Sequence, residues 1–187
     1  MINSRLSSVI YTSLIFCMAF TANATLVSRL GGQAAYDIDL DITWITDVNL
    51  ASSQTFGIAE GTAGIINPGG NMSWDTAHQW IAAMNTANYL GFSDWRLPTT
   101  LVPDSTCVGS TTTASGSGCT GSEMGHLFYD ELGGTAGTSI LTSSDPDVSL
   151  FSNITTTGGQ HWSGTEDSSS TAWAFGIEGI GGAGFQG

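Results

Sequence analysis

The chain contains no lysine and only three arginines, against 16 aspartates and glutamates in 187 residues. A surface so short of cations repels phosphate backbones and anionic lipid, which argues against nucleic acid and polyanionic sugars as ligands. Calcium, neutral glycans and other proteins remain open as partners. Long apolar runs are also scarce: the N-terminal one falls well short of the roughly 20 residues a spanning helix needs, and none follows it. Catalytic motifs are missing too. Neither H-E-x-x-H nor G-x-S-x-G occurs, and His78, His126 and His161 lie far apart in the chain, so hydrolase chemistry is not expected.

What is present begins with Arg5, an apolar stretch from Val9 to Phe20, and Ala22-Asn23-Ala24. A charged start, a short apolar region and an A-x-A site read as a secretory signal peptide over residues 1–24, cleaved after Ala24. Cleavage would leave residues 25–187 as one domain, with Arg29 and Arg96 facing 16 carboxylates for a formal charge of −14. It would also remove Cys17, leaving Cys107 and Cys119 as the expected disulfide of an extracellular or periplasmic protein. The Ser/Thr/Gly tract between them offers nothing to build a core, and no further thiol or histidine lies nearby to make them a metal site.

Along the chain, "YDIDLDITWI" alternates Asp37, Asp39 and Asp41 with Ile38, Leu40 and Ile42. This period of two predicts a half-buried strand with a solvated acidic face. "SWDTAHQWIAAMNTANYLG" predicts an amphipathic helix capped by Ser73, with Trp74, Ala77, Ile81 and Met84 on its apolar stripe and His78 on the surface. "SEMGHLFYDELGG" predicts a second helix, capped by Ser122 and stopped at Gly133, with Gly125 inside it marking close packing. Trp173, Phe175 and Ile177 alternate as in a strand. With 25 glycines, this composition favours a turn-rich α+β domain over a helical bundle.

The ordered set "YDIDLDITWITDVNL", "GGNMSWDTAHQWIAAMN", "GFSDWRLPT", "SEMGHLFY", "HWSGTE" and "AWAFGI" resembles the DUF1566 family, also named for the C-terminal domain of the Legionella collagen-like adhesin. The resemblance spans roughly residues 36 to 178. "WRLPT" before an acidic helix is also similar to a segment of the formylglycine-generating enzymes, whose fold is a variant of the C-type lectin fold. Together these likenesses imply two helices packed on a twisted, mainly antiparallel sheet with long loops, in an exported bacterial protein of adhesive role. Two departures qualify that picture. The charge of −14 conflicts with the sulfated polymers linked to the adhesin, and the chain stops at "GIGGAGFQG", where family domains continue to another strand, so the expectation is a final strand that is missing, supplied by a partner or lost by truncation.

Candidate functional residues follow. Arg96, beside Trp95, is expected to stack on tryptophan and, with carboxylates including Asp94 and Glu123 nearby, to form a partly buried ion pair that ties the "WRLPT" turn to the second helix. Asp145, Asp147, Glu166 and Asp167 supply oxygen ligands on turns, the kind calcium uses. His161 and Trp162 are candidate ligand contacts at a loop edge, whereas at least four of the six tryptophans are expected in the core. The cysteines do not match the reactive pair of the formylglycine-generating enzymes, so that activity ranks last. The leading expectation is a non-enzymatic binding or surface-adhesion module for a glycan or protein partner. A matrix or filament component that self-assembles is the alternative.

Overall fold

A computed structural model describes residues 25–60, 66–109, 114–155, 159–168, 171–177 and 183–187. The signal-peptide reading falls on residues 1–24, outside the described residues. Two antiparallel sheets and two helices make an α+β arrangement.

The first sheet is a meander of β1 (Leu26–Arg29), β2 (Ala34–Asp37) and β3 (Ile42–Ile45), in the order β1-β2-β3. Here the sequence reading needs correction. The alternating aspartates do not form one strand: β2 ends at Asp37 and residues 38–41 turn the chain into β3. Asp37 is fully buried while Ile38 is 52% exposed, the reverse of the expected faces. The cause is local. Asp37 Oδ1 accepts from the amides of Asp39 (3.1 Å) and Leu40 (2.9 Å), an Asx-type turn that competes with extended pairing, and Asp41 completes it at φ 54°.

Helix α1 (Trp74–Thr86) begins where expected, with Ser73 Oγ accepting from the Thr76 amide at 3.2 Å. Thr76, Ala77 and Met84 form its buried side. Helix α2 (Glu123–His126) is only four residues long and runs into a π-helical turn, Leu127–Glu131. Ser122 precedes α2, but its hydroxyl does not cap the helix. It donates to Asp104 Oδ2 (3.0 Å) and accepts from the Leu101 amide (3.0 Å), fastening the preceding loop instead. Gly125 is required by close approach, since a Cβ there would collide with the Cys119 carbonyl.

The second sheet has the order β4-β7-β6-β5, from β4 (Gly116–Ser117), β5 (Gln160–Ser168), β6 (Thr171–Gly176) and β7 (Phe185–Gln186). The C-terminal residues, where a missing strand is expected, insert β7 between β4 and β6, and Gly187 exchanges both backbone hydrogen bonds with Ala174. The core joins β1, α2, the π-turn and β6 through Leu26, Met124, Leu127, Phe128, Leu132 and Phe175. Phe128 meets Phe175 edge-on at 5.8 Å; both are fully buried, each contributing about 1.5–3 kcal/mol of transfer free energy. Cys107 and Cys119 form a disulfide, with Cα atoms 4.1 Å apart.

Candidate functional site

The segment Arg96–Thr100 lies between two elements. On one side it joins α2: Arg96 Nη1 and Nη2 donate to the two oxygens of Glu123 at 2.7 and 2.6 Å, and the Thr99 amide donates to Glu123 Oε2 at 2.8 Å. On the other it joins β5: the Gly164 amide (2.8 Å) and Ser163 Oγ (3.0 Å) both donate to the Pro98 carbonyl. The structure therefore brings Arg96 and Glu123 together. Asp94 is exposed, and the ion pair of Arg96 is with Glu123. The expected stacking of Arg96 on tryptophan does not form among the described residues, where the guanidinium lying over a ring is that of Arg29, 3.6 Å from the Tyr36 centroid. Trp95 is instead held by Asn85, which exchanges hydrogen bonds of 2.8 and 2.9 Å with its backbone. Burial pushes the Glu123 carboxyl up, but the Arg96 hydrogen bond, the Thr99 amide and the Arg96 charge outweigh it and leave the group below its ordinary value.

Above this joint opens a cleft of about 1130 Å³, walled by β3, α1, the 92–98 segment and the start of β5. Trp44, Trp80, Trp95 and Trp162 line it. This corrects the expectation that most tryptophans are core residues, because only Trp173 is buried and the other five are half-buried. Each indole N–H of the four cleft rings is engaged: Trp44 with Asp37 Oδ2 (3.2 Å), Trp80 with Gln54 O (2.7 Å), Trp95 with Tyr89 O (3.0 Å) and Trp162 with Met72 O (3.0 Å). Such bonds fix the rings in place before any ligand arrives. His161 and Trp162, the candidate ligand contacts, both line this cleft from β5. Asp41, Asp47, Asp94 and Glu123 line it along with Arg29 and Arg96, so its charged groups are net negative.

The calcium candidates fall on two separate elements. Asp145 caps the short helix Pro146–Leu150, its Oδ1 accepting from the Asp147 amide at 2.9 Å, while Glu166 and Asp167 sit exposed near the end of β5. Among the described residues these four make no group of three converging ligand atoms. Burial, and then the neighbouring Asp145 charge, pushes the Asp147 carboxyl above its ordinary value.

A cluster that sequence reasoning missed lies beneath Trp44. His126 Nε2 is 3.0 Å from Glu131 Oε1 and 3.9 Å from Asp37 Oδ1, and His126 Nδ1 is 3.1 Å from Asp130 Oδ2. Glu131 Oε2 accepts from Thr25 Oγ1. Burial, the Asp37 charge and, in the opposite sense, the His126 charge act on Glu131, with a net upward displacement of its pKa. The π-turn makes this cluster. In an α-helix of 3.6 residues per turn, positions five apart point about 140° away from each other, whereas the wider π-turn returns Glu131 toward the side of His126.

Comparisons with protein-family models, curated proteins and solved structures give no match to this chain. Among the described residues, no helix is long and apolar enough to cross a membrane.

Proposed function

We propose that the chain is an exported, non-enzymatic binding module of the DUF1566 and C-type-lectin-like type, and that it takes a neutral glycan in the tryptophan-lined cleft. The observation carrying this reading is the four half-buried indoles around one cavity, each pinned by its own N–H. Flat apolar ring faces suit the C–H faces of sugars, and the carboxylates and guanidiniums beside them suit sugar hydroxyls. The net negative lining favours an uncharged ligand over the sulfated polymers of the adhesin likeness.

The test is an intrinsic-fluorescence titration of the full chain with neutral cello-, xylo- and manno-oligosaccharides. Saturable quenching is expected with at least one series. Trp80→Ala and Trp162→Ala should weaken it at least about tenfold each, as for a contact worth about 1.4 kcal/mol. The reading fails if no series binds, or if both variants keep a native circular dichroism spectrum and full affinity.

A further inference from the structure

We propose that Asp37, His126 and Glu131 form a binding site for one divalent transition-metal ion, Zn2+, which ties the β2–β3 hairpin to the π-turn after α2. Three observations converge on it.

The first is distance. The three ligand atoms lie within 4.8 Å of one another, with His126 Nε2 at 3.0 and 3.9 Å from the two carboxylate oxygens. Zinc bonds of about 2.0–2.2 Å at tetrahedral angles separate neighbouring ligands by roughly 3.4 Å, between those two values. The second is orientation. The Nε2 edge of His126 faces Asp37 and Glu131, while Asp130 Oδ2 lies within hydrogen-bond range of Nδ1, the carboxylate–histidine arrangement that orients a metal-ligating imidazole. Hydrogen bonds also fix how the carboxylates point: the Asp39 and Leu40 amides donate to Asp37 Oδ1, the Trp44 indole to Asp37 Oδ2, and Thr25 to Glu131 Oε2.

The third is charge. Asp37 is 0% exposed and Glu131 4%, and two carboxylates out of water need a compensating cation. The chain has no lysine, Arg96 is engaged by Glu123, and Arg29 lies over Tyr36. Among the described residues no arginine pairs with either carboxylate, and His126 itself stands among three carboxylates. An imidazole beside two carboxylates selects zinc over calcium, which prefers an all-oxygen shell. Asp130, half-exposed, marks the way in from solvent.

The experiment treats the full chain with EDTA, removes the chelator and adds ZnCl2. Uptake of one equivalent, a thermal midpoint that rises with zinc, and a change in one of the three imidazoles in the long-range 1H–15N spectrum are expected. Glu131→Gln should weaken uptake at least ~100-fold and Asp130→Asn about 10- to 100-fold, while Asp145→Asn, on the other acidic turn, should leave it unchanged. The imidazole spectrum needs only the wild-type chain, so it decides the matter even where a variant fails to fold. The proposal is overturned if the natively folded, EDTA-treated chain takes up no zinc, if no histidine signal moves, or if Glu131→Gln retains tight uptake.

Discussion

At the scale of single residues, Arg96 shows how a scarce cation is used. Its side chain is 49% exposed and that of Glu123 only 16%, so solvent screens the guanidinium end while the carboxylate depends on its partners. Removing the arginine leaves Glu123 with the Thr99 amide and an unpaired, largely covered charge. Arg96→Met is expected to lower stability by about 1 kcal/mol at pH 7, beyond the half a kcal/mol typical of surface changes. Lysine, lacking the fork, should restore only part of this. Because the folded Glu123 pKa lies below its ordinary 4.5, the contribution is fully present above that value and fades as pH falls through the lowered folded value. Urea unfolding of wild type and variant at pH 7 and pH 3 checks both points; an equal gap at the two pH values would refute the assignment. The chain shows that so scarce a cation meets a carboxylate, but not which one: Asp94 stands two residues away, and only the packing of the turn on α2 brings Glu123 to the guanidinium.

At the scale of elements, α1 was legible because its cap, its stripe and its period agree, all within one stretch of sequence. The aspartate alternation was not, because strands and Asx turns both favour a short polar residue at every other place, and only the burial of Asp37 separates them. The acid–histidine cluster was hidden for a different reason. A reader who assumes 3.6 residues per turn through "SEMGHLFYDEL" places His126 and Glu131 on different faces, and no local signal announces the π-turn. Gly125, in contrast, gives a sharp test of α2. Helix propensity alone favours alanine there by about 1 kcal/mol, yet the Cys119 carbonyl occupies the space a Cβ would need. The collision involves backbone carried by a disulfide-bonded residue, which cannot swing aside as a flexible side chain does. Gly125→Ala is therefore expected to destabilise by at least about 2 kcal/mol in thermal or denaturant unfolding. A neutral or stabilising result would mean that the 119–125 segment approaches less closely than described.

At the scale of the whole molecule, charge and cavity act together. The cleft was illegible because tryptophans on an amphipathic stripe look the same whether the stripe meets a core or a cavity; only the long-range placement of β5 against α1 decides it. Maintaining such a cavity forgoes packing contacts, and the 16 carboxylates add self-repulsion that three arginines cannot balance. Salt should distinguish these two costs. It screens long-range repulsion, whose reach shrinks from about 30 Å at 0.01 M to about 3 Å at 1 M, but does nothing for missing packing. It also weakens the Arg96–Glu123 pair, which works in the opposite direction. With many repelling carboxylates and a single arginine–carboxylate pair among the described residues, repulsion should dominate, so the melting temperature in chelator-treated buffer is expected to rise steadily with NaCl between those limits. The Arg96→Met chain should rise more steeply than wild type, having no pair for salt to weaken, whereas a melting temperature that falls with salt in wild type but not in Arg96→Met would show that the Arg96–Glu123 pair outweighs the long-range repulsion in this acidic molecule.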